Sequence, residues 1–292
     1  MALCLAAALL AGCQPPEGAR RERTAAEPPA QALQRSLDSD SSASLGLADY
    51  LDRLGEAARD RGVALHTLPT AAAAELIVLL LDPIALHPRL LVRKKKTALR
   101  AASAMRDQPR LELLVGSGFV SLVEALQPLG LLQIDGEMRN PIEEHGYTRI
   151  LGLRDGRFQI LHRREWTSGR FEAALQAGPG VIERGLLDIS TRELQRTRYF
   201  RSFVATCGDR IAIGASLVPM NLRTLGERFL DLNDSQGLGC DELVNLAGDR
   251  EAILAIRLGD AVLYHGDPSR KQAVLVGFER VPIPPEGPGD GG

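Results

Sequence analysis

The 292-residue sequence contains none of the short motifs that mark the commonest catalytic scaffolds. It has no GxSxG, which excludes a nucleophile elbow, no GxxxxGK[ST] to cradle nucleotide phosphates, and no HExxH to hold a catalytic zinc. Gly116-Ser117-Gly118 is too short a glycine run to replace a phosphate loop. There are only four Cys and no CxxC pair, and His66, His87, His145, His162 and His265 are scattered. Metal-ligand spacing is therefore absent, and neither a metal nor a cofactor is expected. Beyond the N-terminus no 18 consecutive residues are apolar, so no internal membrane span is expected. Lys is scarce: Lys94, Lys95, Lys96 and Lys271 stand against 31 Arg spread over the whole chain, a pattern that compositional bias produces. With 37 acidic and 35 basic residues the net charge is −2, which gives no reason to expect a nucleic-acid partner. What is present is the make-up of a folded protein, 45% hydrophobic and 25% charged, long enough for one large or two ordinary domains.

The first segment, Met1 to Gly12 (MALCLAAALLAG), is apolar but too short to cross a bilayer, and it has the size of a signal-peptide core. Leu10-Ala11-Gly12-Cys13 resembles a bacterial lipobox, which predicts cleavage before Cys13 and diacylation of that residue. Gln14 after the cysteine favours sorting to the outer membrane, facing the periplasm. Residues 13–45 are rich in Pro, Ala, Ser, Glu and Arg with few large apolar side chains, so they are expected to form a flexible tether. The run 282–292 (PIPPEGPGDGG) reads as a solvated tail. Between them, 46–281 contains no repeat and no second linker, and one folded domain is the economical reading. Cys4 leaves with the signal and Cys13 carries lipid, so Cys207 and Cys240 remain, either as a disulfide in an oxidising space or as two buried thiols.

Turn signals dominate the middle of the chain. Tyr147 to His162 holds two alternating apolar runs across Asp155-Gly156, a hairpin signature, and similar turns occur at Asp135-Gly136, Gly208-Asp209 and Gly259-Asp260. Thr97 to Asp107 reads as an Ala-rich helix capped by Thr97. Leu222, Leu225, Phe229 and Leu232 recur at helical spacing and form one face of a second helix, which ends at Gly237-Leu238-Gly239. Ala74 to Asp82 reads as a buried strand ended by Pro83, and Arg93 to Lys96 as a solvated basic end. The expected class is α+β: a mixed, largely antiparallel sheet with hairpins and a few covering helices.

Several segments, taken in order over about residues 60–280, resemble the phosphodiester glycosidase domain family. Leu114-Val115-Gly116-Ser117-Gly118-Phe119-Val120 is similar to that family's N-[AG]-G-[FY]-F strand end. Gln127-Pro128-Leu129-Gly130-Leu131 with Asp135-Gly136-Glu137 is similar to its P-x-G element. Gln176-Ala177-Gly178-Pro179 followed by Gly185 resembles Q-[AS]-G-P…G closely, and Arg201-Ser202-Phe203-Val204-Ala205 resembles R-[ST]-x-[VI]-[AG]. Asn245-Leu246-Ala247-Gly248-Asp249-Arg250-Glu251 sits where N-L-D-G-G-x-S is expected.

The resemblance implies a fold that hydrolyses a sugar from the phosphate of a phosphodiester, which takes a cation to hold the phosphate and a carboxylate to move a proton. Arg201 falls on the motif arginine. Ala247 replaces the motif acid and Gly116 the strand-end Asn, and alanine can neither transfer a proton nor orient water. Asp249 is the candidate substitute; its two-residue offset keeps Ala247's strand face but moves the carboxylate ~6.5 Å, beyond hydrogen-bond tolerance. Gln176, Gly178 and Asn245 are the candidate ligand-binding positions, the alternative being that they brace the turn and the loop beneath the site. The expectation is an envelope lipoprotein that keeps the fold without catalysis. It would bind a sugar-phosphate or envelope glycan and reach the membrane through its lipid. The alternative is an active hydrolase rearranged around Arg201 and Asp249.

Overall fold

The computed structural model describes residues 55–56, 59, 63–69, 74–81, 84–93, 98–119, 127–189 and 196–281. Cys13, the tether, Asp82-Pro83, Lys94–Thr97, Val120 and the 282–292 tail lie outside the described residues. In chain order the elements are β1 (Val63–Pro69), β2 (Ala74–Leu81), β3 (Leu86–Val92), α1 (Ala101–Asp107), β4 (Leu111–Ser117), β5 (Leu132–Ile134) and β6 (Glu137–Asn140). Next come β7 (Arg149–Arg154), β8 (Arg157–His162), β9 (Ala173–Ala177), β10 (Gly180–Glu183), β11 (Leu186–Leu187), β12 (Arg201–Cys207) and β13 (Arg210–Ser216). The chain continues through α2 (Leu222–Gln236), β14 (Glu242–Gly248), β15 (Leu254–Leu258), β16 (Ala261–His265) and β17 (Val274–Arg280).

These strands form three sheets, in the orders β1-β2-β13-β12-β14-β10-β11, β16-β15-β4-β17-β3 and β6-β5-β9-β7-β8. Every pairing between them is antiparallel. The class is thus α+β, with hairpins and two covering helices among the described residues.

One apolar interior is shared by all three sheets. Ile77, Leu79, Val204 and Ile213 from the first meet Leu113, Val115 and Val276 from the second and Leu151 and Leu175 from the third. The opposite face of the first sheet presents Leu76, Val78, Leu80 and Phe203 to Leu225, Phe229 and Leu232 of α2. This is why β2 reads AELIVLLL without alternation: odd and even residues both have an apolar layer to enter. Each fully buried Leu or Phe on α2 contributes about 1.5–3 kcal/mol relative to exposure, so the docked stripe, not propensity, holds this helix.

The caps of α2 are written in its sequence. Asn221 accepts a hydrogen bond from the Thr224 N–H at 2.8 Å, and Gly237 closes the helix with φ 60°. Just beyond, the Asn233 side chain accepts from the Cys240 N–H at 2.8 Å and donates to the Cys240 carbonyl at 3.3 Å. Cys240 in turn is bonded to Cys207, at the end of β12, by a disulfide.

The first helix departs from the expected range. It spans Ala101–Asp107, because the chain before it is extended: Leu99 pairs with Gln272 in a β-bridge and Arg100 has φ −135°. The bridge captures the segment that local propensity would have made helical. At the other end, Arg257 donates from Nε to the Leu111 carbonyl at 2.9 Å, and from Nη2 to Gln108 at 3.3 Å and to Met105. The hairpins fall where the turn residues put them. Arg154 faces Arg157 across Asp155-Gly156, and Ile134 faces Glu137 across Asp135-Gly136; all four turn residues have positive φ.

His265 ends β16 in full burial. Its Nε2–H donates to the Ser216 carbonyl at 3.0 Å, and Nδ1 has no partner among the described residues. Burial pushes its pKa from 6.5 down to about 4, the hydrogen bond to Ser216 opposing. The unfolded chain therefore takes up a proton between those values that the folded chain refuses, and stability falls as pH drops through the interval, by about 3 kcal/mol in all. In urea titrations from pH 7 to 4, His265→Gln is expected to flatten this decline; an unchanged slope would show that the acid sensitivity arises elsewhere.

Candidate functional site

β9 runs through Gln176 and Ala177 into a turn at Gly178 and Pro179, joined by a cis peptide bond, and re-emerges as β10. That turn lies against the segment after Cys240. The Gly178 N–H donates to the Asn245 carbonyl at 3.1 Å, and the Asn245 N–H donates to the Pro179 carbonyl at 3.3 Å. The Asn245 side chain is buried and donates weakly to the Gly178 carbonyl at 3.4 Å, and its Oδ1 has no partner among the described residues. Gly178 has φ 137°, and a Cβ there would meet the Thr148 nitrogen at 2.9 Å, so the position is a backbone requirement.

Gln176 is fully committed. Its Oε1 accepts from the N–H groups of Leu131 and Glu143 at 2.9 and 2.8 Å, and its Nε2 donates to the carbonyls of Glu143 and Tyr147 at 2.6 and 2.7 Å. Buried and with all four hydrogen-bonding positions spent on backbone, it clamps the 131–147 loop and has nothing left for a ligand.

Gly116 and Ala247 face each other's sheets through Ser202. The Ser202 Oγ donates to the Gly116 carbonyl at 2.8 Å, and Ala247 stands opposite Ser202 in the β12–β14 ladder. The Gly116 N–H donates to the Ile253 carbonyl at 2.8 Å, and a Cβ at 116 would lie 2.2 Å from the Glu251 carbonyl oxygen. No side chain fits there, because the backbone of 251–253 already fills the space. A register shift on β14 pairs Asn245 with Phe203 but Ala247 with Ser202. Since neighbouring strand residues point to opposite faces, Asn245 lies on the α2 side of the sheet and Ala247 on the side of β4.

Asp249 does not continue the strand. β14 ends at Gly248, and Asp249 opens a 3-10 turn over Asp249–Glu251 with φ 55° and its N–H donated to the Phe200 carbonyl at 2.9 Å. The same-face argument for replacing position 247 therefore fails: Asp249 is an exposed turn residue.

Arg201, at the head of β12, is only 6% exposed. Its Nε donates to the Met220 carbonyl and its Nη2 to the Thr197 carbonyl, both at 3.2 Å, and its Cζ lies 5.1 Å from the centroid of the Tyr199 ring. Nη1 makes no hydrogen bond among the described residues and lies 3.1 Å from where a Cβ at Gly248 would be. Burial pulls its pKa down to about 10, with Tyr199 and Asp249 partly offsetting that, so the group is charged at neutral pH.

No carboxylate forms an ion pair with Arg201 among the described residues, although Asp249 is near enough to act on its charge. A second buried arginine shows the usual arrangement: Arg149 is surrounded by Glu183 at 2.9 Å, Asp188 at 3.0 Å and Glu242 at 3.6 Å. One guanidinium is over-supplied with counter-charge and the other has none in contact among the described residues. A desolvated cation without a counter-ion is costly, and an anion beside it would recover that cost.

The structure thus groups the candidates in two places, Gln176, Gly178 and Asn245 at the turn and Arg201 and Asp249 at the head of β12. A cleft of about 650 Å³ lies elsewhere, between β3, α1 and the third sheet, lined among others by Leu90, Ala104, Ile134 and Leu153. None of the candidates borders it. Among the described residues no three His, Cys, Asp or Glu side chains are gathered as metal ligands. Tyr199 and Arg149 were not singled out from the sequence; the run Arg198-Tyr199-Phe200-Arg201 was the one local signal for the first, and Arg149 gave none.

No family model matches the sequence, and no curated protein matches it. Among solved structures, a hypothetical protein from Synechocystis aligns with a TM-score of 0.52 at 13% identity over 75% of this chain. The catalytic domain of zebrafish N-acetylglucosamine-1-phosphodiester alpha-N-acetylglucosaminidase aligns with a TM-score of 0.51 at 13% identity over 74% of this chain. The chain spans 62% of the length of the first protein and 82% of the second. The fold is therefore that of the phosphodiester glycosidase catalytic domain, and at such identity the likeness is one of fold.

Because Glu251 occupies the space beside position 116, Gly116→Asn is expected to lower stability by at least about 1–3 kcal/mol, measured by urea denaturation. A variant as stable as the parent would mean that the 251–253 backbone yields easily and that the position is open.

Proposed function

We propose that this chain is an envelope-tethered binding domain that keeps the phosphodiester glycosidase fold without its hydrolytic centre, and that Arg201 holds an anionic, phosphate-bearing glycan. The observation that carries this reading is the buried Arg201 guanidinium, which among the described residues has no hydrogen bond at Nη1 and makes no ion pair. Loss of hydrolysis is supported by Ala247, which cannot move a proton, and by the backbone filling the space at Gly116. A phosphate monoanion at Arg201 supplies the missing counter-charge through charge-assisted hydrogen bonds. The tether and the lipid on Cys13 would hold the domain at the outer membrane, facing the periplasm.

Calorimetric titration with a sugar phosphodiester is expected to show binding without turnover. Arg201→Gln should weaken that binding about 10- to 100-fold while thermal melting confirms a folded chain. Unchanged affinity in the variant would reject the anion site. The nearness of Asp249 to Arg201 favours one other reading, a rearranged hydrolase; turnover that disappears in Asp249→Asn would establish it. Fractionation of cells producing Cys13→Ala should move the protein from the membrane to the soluble fraction, and membrane retention would reject lipidation at this residue.

A further inference from the structure

We propose that the cleft beside β3 is a docking groove for an extended, basic peptide, which adds as a further strand to the second sheet. The proposal is independent of Arg201, which does not border the cleft. β3 is an edge strand, paired with β17 on one side and with no strand among the described residues on the other. The Arg93 N–H donates to the Ala273 carbonyl and the Val281 N–H to the Ala85 carbonyl, which sets the phase of this antiparallel ladder. Odd-numbered residues of β3 therefore bond to β17, and Leu86, Pro88, Leu90 and Val92 turn their backbone polar groups away from it.

The cleft lies on that free edge. Leu91 packs with α1 on the outer face of the second sheet, whereas Leu90 shares the interior with Leu153 of the third sheet. A space bordered by β3, α1 and the third sheet, but by no residue of β17, straddles the edge between those two faces. Gly156 closes one end: a Cβ there would lie 2.9 Å from the His87 ring. Leu90 is only 8% exposed, and its outward N–H and C=O have no backbone partner among the described residues. An added strand supplies those partners. Walled by a helix on one side and a sheet on the other, the edge admits a single extended chain, whereas a second copy would bring its own covering layers into the walls.

Charge selects the occupant. Of the charged side chains that line the cleft, Arg89 pairs with Glu279 at 2.6 Å, Asp107 with Arg106 at 2.8 Å and Arg154 with Asp155 at 3.8 Å. Asp135 and Glu172 are exposed and form no ion pair among the described residues. The Gly136 N–H, on the Glu172 carbonyl at 2.7 Å, holds their two segments together. The charge left to be met is negative, so the peptide carries Lys or Arg. Its side chains on the third-sheet side also meet Ile134 and Ala173 and are apolar, and those on the α1 side meet Ser103 and Ala104 and are small.

The test titrates the blocked peptide acetyl-Val-Ala-Val-Ala-Lys-amide into the full chain and follows hydrogen exchange at the Leu90 and Val92 amides. Binding is expected to slow exchange at both about tenfold or more. Val92→Pro removes an outward N–H and none that β17 uses; it should weaken binding about tenfold while thermal melting still shows a folded chain. Glu172→Lys should reverse the preference for this peptide over the one ending in Glu. Absence of binding, binding without protection of the two amides, or an unchanged preference in Glu172→Lys overturns the proposal. Amides protected before any peptide is added also overturn it, because the chain itself or a second copy then already covers the edge.

Discussion

The constraint on which the rest depends is that β12 and β13, at the centre of the seven-stranded sheet, are covered on both sides. One face looks into the interior shared by three sheets and the other into the layer under α2. Any polar group on such a strand must be satisfied by backbone or by its partner strands. Ser202 and Ser216 meet the condition, the first on the Gly116 carbonyl and the second on the Arg201 N–H. Arg201 meets it for two of its three nitrogens, using carbonyls of the segments that precede β12 and α2. Its charge has no counter-ion among the described residues, and the function proposed for the molecule grows out of that remainder.

The two buried arginines show how differently one fold can treat the same group. Arg149 sits where β7, β10 and β14 converge and is met by three carboxylates, so its charge is spent on holding elements together. The cluster is partly closed to water, and that desolvation raises the pKa of Glu242. Arg201 holds neutral carbonyls instead, which gives geometry without cancelling charge. An ion pair within the protein would have made that arginine a structural tie.

What could be read from the sequence was what local chemistry decides. Asp-Gly turns specify hairpins because few residues tolerate two successive positive φ angles, and the spacing of Leu222, Leu225, Phe229 and Leu232 specifies a helix face because nothing distant competes with it. The turn at Gly178 lying against Asn245 was legible only through a family resemblance. The errors share one cause, long-range pairing. The start of α1 moved because Leu99 found Gln272 across 173 residues of chain, and Asp249 left the strand face because β14 stops at Gly248 to pass beneath Phe200. The commitment of Gln176 and the closure over Gly116 are contacts between segments that no window of sequence places side by side.

The bracket at the far end of β12 has a consequence for how the domain comes to exist. Cys207 and Cys240 close a loop with a sequence separation of 33, and Asn233 fastens the exit of α2 to the same point. Chain-entropy arguments give such a link about 3–4 kcal/mol. That is a sizeable share of the roughly 5–15 kcal/mol that ordinarily separates folded from unfolded. A newly made copy kept in a reducing milieu would therefore carry its C-terminal helix on packing alone, and oxidation would complete the scaffold as a separate, later event.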